Sequence, residues 1–326
     1  MKILNAVVWG LGRHAIKNII PAIQECKGIN LYGVCSRNKD IVAKIVIDYK
    51  CKGWLDPKLM LDDNEVDIVY LATPIALHFS QGEASLLASK HLWCEKPFTQ
   101  QLNQTEELVN ISRIKGISIR ESFMYLYHPQ FLHLRKIIKS GRLGEIQNIY
   151  CRFGIPPLEN PGFRNSIELG GSAISDVGCY PISIITALFP EEEIEVITSE
   201  IDNRQVDAVD KSGRTVLRFG KLNIILEWST ITSYRNEIDI WGTDGSVFTD
   251  RIFSKSKEYT PYFNFKDIHG NIDREDSLPA NHFLEMITEF VENIADKENI
   301  ERERKMILKR ARLMDKILNI GILNQV

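Results

Sequence analysis

An apolar run from Ile3 to Trp9 stops at Gly10-Leu11-Gly12-Arg13-His14-Ala15, and a helical stretch follows to about Cys26. No other segment restricts the possible folds so strongly. Gly10 permits a tight turn, Gly12 puts no side chain above it, and Ala15 lets the helix approach the strand closely. Short apolar runs then alternate with helical ones. Strands are expected at Ile29–Cys35, Val66–Ala72, His91–Cys94 and Ile117–Arg120, and helices at Lys39–Tyr49, Ala76–Ser89 and Gln104–Ile114. Buried strands separated by helices make a doubly wound parallel sheet. At the head of such a sheet, G-x-G-x-x-A between strand and helix predicts a dinucleotide site. The helix N-terminus offers N–H groups and partial positive charge to the pyrophosphate.

The rhythm changes after about Glu121. Helices are expected near Gln130–Ser140, ended by Gly141, and from Ala173 to Leu188. Strand-like stretches follow: VDAVD, RTVLRF, LNIILEW, NEIDIW and SVFTD. With few helices between them, they predict an antiparallel sheet. The chain from His282 onward is helical twice, and the basic residues of 301–318 are assigned to a solvated helix face. A length of 326 residues exceeds what one core usually supports. The expected division is residues 1–122, a nucleotide-binding domain, and 123–326, a second α/β domain.

Composition removes other classes. A net charge of −3 favours neither nucleic acid nor an anionic membrane. No apolar run reaches the ~18 residues of a membrane span, and the N-terminus runs straight into the glycine turn rather than a cleavage site. Six cysteines without C-x-x-C spacing suit a reducing cytoplasm. The seven histidines show no metal-ligand spacing, so no metal is expected.

Two further stretches carry chemistry. The second strand ends in Cys35-Ser36-Arg37, where NAD sites usually present an acid to the ribose. A hydroxyl and a guanidinium suit a 2′-phosphate, so NADP is favoured and NAD is the alternative. The fifth strand ends in Cys94-Glu95-Lys96-Pro97, at the carboxyl edge where such sheets bind ligands. The Lys96–Pro97 bond is a candidate cis peptide. Later, Gly170-Gly171 precedes Asp176, Gly178, Tyr180 and Pro181. Four residues apart on a helix, Asp176 and Tyr180 share a face.

These motifs occur in one order and spacing: G-x-G-x-x-A, E-K-P, and G-G-x-x-x-x-D-x-G-x-Y-P. With Thr73-Pro74, MYLYHP and WGTDG, they make nearly the whole chain resemble the Gfo/Idh/MocA family, named for glucose–fructose oxidoreductase, inositol dehydrogenase and a rhizopine-catabolism protein. The resemblance implies a Rossmann domain and a C-terminal α/β domain with a large, open, mostly antiparallel sheet. That sheet often joins subunits, so a homodimer or homotetramer is expected. Tyr180 places the chain beside the branch that resembles dihydrodiol and xylose dehydrogenases and sugar-nucleotide ketoreductases.

The family pattern assigns Lys96, Asp176 and Tyr180 to catalysis. It assigns Gly10, Gly12, Arg13, His14, Ser36, Arg37, Thr73, Pro74, His78, Glu95 and Lys96 to the cofactor. His128 and Arg164 are weaker substrate candidates. Hydride transfer to a ketone leaves an alkoxide that needs a proton, and a tyrosine, with a pKa of ~10, is a donor at neutral pH. A nearby ammonium would lower that pKa. Asp176 would orient a substrate hydroxyl or hold Lys96. The implied activity is NAD(P)-dependent oxidoreduction of a sugar-like carbonyl or alcohol. One alternative is a nucleotide-sugar ketoreductase, with Arg152 and Arg164 facing a pyrophosphate. A non-catalytic sensor is the other, and the proton donor argues against it. Ile75, where the family often has Asn, and Leu126, where Arg is common, depart from the pattern and make the site less polar.

Overall fold

The computed structural model describes residues 2–202 and 209–323. The chain divides into two units: Met1–Ser122 with Phe283–Leu308, and Phe123–His282 with Lys309–Val326.

The first unit holds six strands: β1 (Leu4–Trp9), β2 (Ile29–Cys35), β3 (Lys52–Trp54), β4 (Ile68–Leu71), β5 (His91–Glu95) and β6 (Ile119–Ser122). Their order is β3-β2-β1-β4-β5-β6, with every pairing parallel. The order reverses between β1 and β4, the switch point at which doubly wound sheets open a crevice for ligands. Every residue of β4 is buried, which is why its sequence is continuously apolar rather than alternating. The short β3 has no such signature. It has two exposed residues and is held by its register on Gly33–Cys35. The helix Lys39–Tyr49 begins at Asn38, whose side chain accepts the N–H groups of Asp40 and Ile41, each at 3.1 Å.

The expected second domain ran unbroken to 326, but residues 283–308 belong to the first unit. The Phe290 ring lies 5.2 Å from that of Trp93. Arg304 donates from Nε to Ser112 Oγ at 3.0 Å, and from Nη2 to Ser112 O at 2.8 Å and Ile117 O at 3.0 Å. The expectation of a solvated basic face on the last helix is corrected at Arg304 and Arg310, both buried. A guanidinium can be buried where carbonyls take its hydrogens or a ring covers it; Arg310 lies over the Phe123 ring.

The second unit is built on eight strands: β7 (Ile146–Gly154), β8 (Glu195–Ile201), β9 (Ser212–Phe219), β10 (Leu222–Ser229), β11 (Arg235–Gly242), β12 (Gly245–Asp250), β13 (Tyr262–Asp267) and β14 (Ile272–Asp276). Their order is β14-β13-β12-β11-β7-β10-β9-β8. The sheet is antiparallel except where β7 lies parallel to β10. Along β10, Leu222, Ile224, Leu226 and Trp228 are buried and alternate with half-buried residues. That is the pattern of a sheet with one covered face. Of the expected strand VDAVD, residues 206–208 lie outside the described residues, and Val209 and Asp210 belong to no strand.

Candidate active site

In the first unit the glycine turn has two distinct jobs. Gly10 has φ +104°, and a Cβ there would lie 2.7 Å from the carbonyl carbon and oxygen of Ala72. It is required by conformation and by close approach to the adjoining strand. A Cβ on Gly12 would meet nothing within 4 Å, so that space is open to a ligand. The helix begins at this point, with the Ile16 N–H donating to Gly12 O at 3.1 Å, and its first turn, Ala15–Ile19, is π-helical. Open space beside a helix N-terminus fits a diphosphate. Arg13 is exposed at the same turn.

At the end of β2, Ser36 Oγ accepts the Asn38 N–H at 3.2 Å and keeps its own hydrogen to donate. Arg37 is exposed beside it, ahead of the capped helix.

The Lys96–Pro97 bond is cis. Next to it, Glu95 Oε1 receives the Tyr70 hydroxyl at 2.7 Å and His14 Nε2 at 3.1 Å. A carboxylate only accepts, so Nε2 carries the hydrogen and Nδ1 accepts from Asn18 Nδ2 at 3.0 Å. Burial works to raise the Glu95 carboxyl. His14, the Tyr70 hydroxyl and the Lys96 charge outweigh it, and the group lies below the usual carboxylate range. Burial, then the charge of Glu95, raises Tyr70 well above the ordinary phenol value. The His14 imidazole, expected at the cofactor, is thus turned to Glu95, with its ring 5.3 Å from Phe283.

His78 was also expected at the cofactor. It is buried, with Nδ1 3.1 Å from Pro97 O and Nε2 3.0 Å from Thr73 O. It ties the Thr73–Pro74 turn to the Lys96–Pro97 turn. Burial lowers its pKa, and the neutral ring has one hydrogen for two carbonyls. Thr73 Oγ1 donates to Gln81 at 2.6 Å, and Ile75 is buried.

In the second unit, a π-helical turn, Ile174–Gly178, leads into the helix Cys179–Leu188. Asp176 lies in the wide turn and Tyr180 in the α-helix, so the regular four-residue spacing expected from sequence does not apply to the pair. The double glycine is explained locally. Gly170 has φ +84°, and a Cβ on Gly171 would lie 2.5 Å from Arg164 O. That approach brings Arg164 Nε to Asp176 Oδ2 at 2.6 Å. A Cβ on Gly178 would strike the Trp228 indole at 2.9 Å, so this glycine seats the helix on β10.

Tyr180 is 8% exposed. Its ring lies 5.1 Å from Phe153, 5.4 Å from Phe253, 5.6 Å from Phe123 and 6.0 Å from Tyr125. Its hydroxyl donates to Met124 Sδ at 3.8 Å. Ser183 Oγ donates to Tyr180 O at 2.8 Å and accepts the Tyr125 hydroxyl at 2.6 Å. A pocket of about 120 Å³ opens beside Asp176. Arg164, Asn165, Ser172 and Lys211 line its polar side, and Leu158 and Ile231 its apolar side.

His128 was a substrate candidate, and this is corrected. It is fully buried, and Nδ1 accepts the Gln130 N–H at 3.0 Å to cap the helix Pro129–Lys139. Burial, with the Lys255 charge, pushes its pKa down to about 3. Arg152 is paired with Glu227 at 2.5 Å and Glu237 at 3.4 Å, and it lines a different hollow from Arg164. Leu126 is half-buried, its N–H bonded to Phe123 O. Sequence reasoning assigned no role to Tyr70, Phe153 and Phe253, which no motif marks, and took Met124 only as part of MYLYHP.

Among the described residues, no group of three or more His, Cys, Asp or Glu side chains is placed to hold a metal ion. No helix there is long and apolar enough to cross a membrane.

Comparison with known proteins extends this picture. Residues 4–122 match the oxidoreductase family with an NAD-binding Rossmann fold. Residues 131–248 match the GFO/IDH/MocA C-terminal domain. The dTDP-3,4-didehydro-2,6-dideoxy-alpha-D-glucose 3-reductase of Saccharopolyspora spinosa is 29% identical, over 88% of this chain and 86% of its own. The trans-1,2-dihydrobenzene-1,2-diol dehydrogenase of Xenopus tropicalis is 26% identical, over 57% of this chain and 56% of its own. KijD10, a 3-ketoreductase from Actinomadura kijaniata solved with NADP and TDP-benzene, superposes with a TM-score of 0.90 at 25% identity and covers 97% of both chains. The open glycine turn, the six-stranded parallel sheet and both domain matches lead to one conclusion: the chain is an oxidoreductase of the Gfo/Idh/MocA family.

Proposed function

We propose that the protein is an NADP-dependent reductase of a keto group on a sugar carried by a nucleoside diphosphate. One observation carries this reading. Asp176, on the turn that leads into the helix of Tyr180, lines a pocket with two cations, Arg164 and Lys211, in a chain that aligns with a dTDP-sugar 3-reductase over 88% of its length. Free sugars and polyols are the second reading, favoured by the carboxylate and amide donors and acceptors in the same pocket.

When bound, NADPH would supply the hydride. Tyr180 delivers the proton that the developing alkoxide needs, from a ring fixed by four aromatic neighbours. Lys96, at the carboxyl edge of the first unit's sheet, supplies positive charge on the cofactor side. Asp176, held by Arg164, accepts a hydrogen bond from a substrate hydroxyl and so orients the sugar. Gly10, Gly12 and the helix N-terminus hold the diphosphate of the cofactor, Arg13 flanks it, and Thr73 and Pro74 border the crevice. Ser36 and Arg37 take the 2′-phosphate. His14, Glu95 and His78 hold these turns in place. The outer face of the second unit's sheet carries the Arg152–Glu227, Arg152–Glu237 and Arg214–Glu200 pairs and an exposed Trp241, and it joins copies into a homodimer or homotetramer. Six cysteines outside any disulfide suit a cytoplasmic enzyme.

The test is NADPH oxidation with a dTDP-linked keto sugar, set beside free ketoses and inososes, after fluorescence titration with NADPH and with NADH. Turnover of the nucleotide-linked substrate with at least tenfold higher kcat/KM, together with tighter binding of NADPH than NADH, is expected. Turnover of free sugars without gain from the nucleotide would replace the substrate class. Binding of neither cofactor would end the enzymatic reading.

A further inference from the structure

The first N–H groups of any helix lack partners within it, and the usual remedy is a side chain just before the helix. The helix carrying Asp176 and Tyr180 has such a side chain in Ser172, whose Oγ accepts the Ser175 N–H at 3.4 Å, and adds a distant one. Asp210 turns both carboxylate oxygens to its start: Oδ1 accepts the Ala173 N–H at 3.1 Å and Oδ2 the Ile174 N–H at 3.0 Å. The Asp210 backbone carbonyl accepts from Ala173 as well, at 3.2 Å. Asp210 is 9% exposed. Burial raises its pKa, against the Ser172 hydroxyl and the same two N–H groups.

The segment that holds Asp210 is itself tied down. Lys211 Nζ donates to Asn165 Oδ1 at 2.9 Å, and Lys211 O accepts the Thr230 N–H at 2.8 Å. Two oxygens on two successive N–H groups fix the rotation of the helix start as well as its position, as a single-point cap does not. Three contacts therefore hold one turn: Asp210 at its start, Arg164 on Asp176, and the Trp228 indole against Gly178.

We infer that Asp210 is a positioning residue, whose carboxylate fork sets the rotation at which the helix presents Asp176 and Tyr180 to substrate. The inference rests on the reading above, that those two residues serve the reaction. It goes beyond that reading by assigning a role to a residue outside the motifs quoted above.

The test compares full-length Asp210→Ala and Asp210→Asn with Tyr180→Phe, measuring kcat and KM for the keto-sugar nucleotide, NADPH affinity and thermal unfolding. Asp210→Ala should lower kcat at least tenfold, with KM and NADPH affinity within about twofold of the parent. Asp210→Asn keeps one acceptor oxygen and turns a donor to the second N–H, so it should lose less than Ala and more than the parent. If Asp210→Ala does not fold, Asp210→Asn decides: a folded Asn variant with lowered kcat supports the role. Parental kcat in either folded variant, beside an inactive Tyr180→Phe, overturns the inference alone. Losses in kcat that track NADPH affinity also overturn it. Full activity in Tyr180→Phe overturns the reading beneath it.

Discussion

Glu95 and Tyr180 sit in surroundings made of opposite materials. Around Glu95 the contacts are polar and directional: the Tyr70 hydroxyl, the His14 imidazole and, through it, the Asn18 amide. Around Tyr180 four aromatic rings pack against its own, its hydroxyl donates to the Met124 thioether, and Ser183 and Tyr125 are hydrogen-bonded to each other nearby. A carboxylate can be buried only if its lone pairs are taken, so its partners must be polar and close. A phenol proposed as an acid gains from a ring held in one orientation, which close-packed aromatics provide.

The most direct way to break this contrast is Tyr180→Phe. The rings around it would keep their packing, and only the hydroxyl would go. Turnover should fall about 10²- to 10⁴-fold, the usual worth of a positioned acid, with NADPH affinity unchanged in a fluorescence titration. A comparable loss of cofactor affinity would mean that Tyr180 belongs to the nucleotide side, and the contrast of roles would fail.

The second experiment sharpens the contrast within the glycine turn. Gly10→Ala forces a side chain into φ +104° and against Ala72 at 2.7 Å, and should cost about 2–3 kcal/mol of stability by urea unfolding. Gly12→Ala meets nothing within 4 Å, so stability should be unchanged. The added methyl instead enters the space assigned to the diphosphate and should weaken NADPH binding about tenfold, or ~1.4 kcal/mol. Equal unfolding midpoints for the two variants would refute the separation of roles.

How much of this was legible in the sequence follows from the same physics. The parallel sheet was visible because strands buried on both faces must be continuously apolar, as β4 is. The glycine turn and Lys96 could be located because their constraints lie within a few residues. The Tyr180 cage could not: its rings come from 123, 125, 153 and 253, brought together by the order of strands in a sheet, and no local pattern records that. Asp210 was taken for a strand residue because alternating Val and Asp imitates a half-buried strand, whereas its partners lie 36 and 37 positions away. His78 and His128 look like ligands for the opposite reason: a histidine in a motif attracts a functional role, and only burial shows that backbone groups occupy the rings.

The smallest effect tests the polar side of the contrast, through Glu95→Gln. The amide oxygen can still accept from Tyr70 and His14, so what is removed is the charge, worth about 1 kcal/mol across the charge-assisted bonds. The Glu95 carboxyl lies below its usual range in the folded protein. Its ionised form therefore favours the fold, and that contribution is complete above the unfolded carboxylate value and fades as pH falls through the folded one. Urea unfolding of parent and variant should then differ by about 1 kcal/mol near pH 7 and converge as the pH falls below the unfolded carboxylate value and through the lower folded one. A difference that stays constant over this range would mean that the Glu95 charge adds nothing to the network and that its shape alone holds His14 and Tyr70. The Glu95 surroundings would then resemble those of Tyr180 more closely than their chemistry suggests.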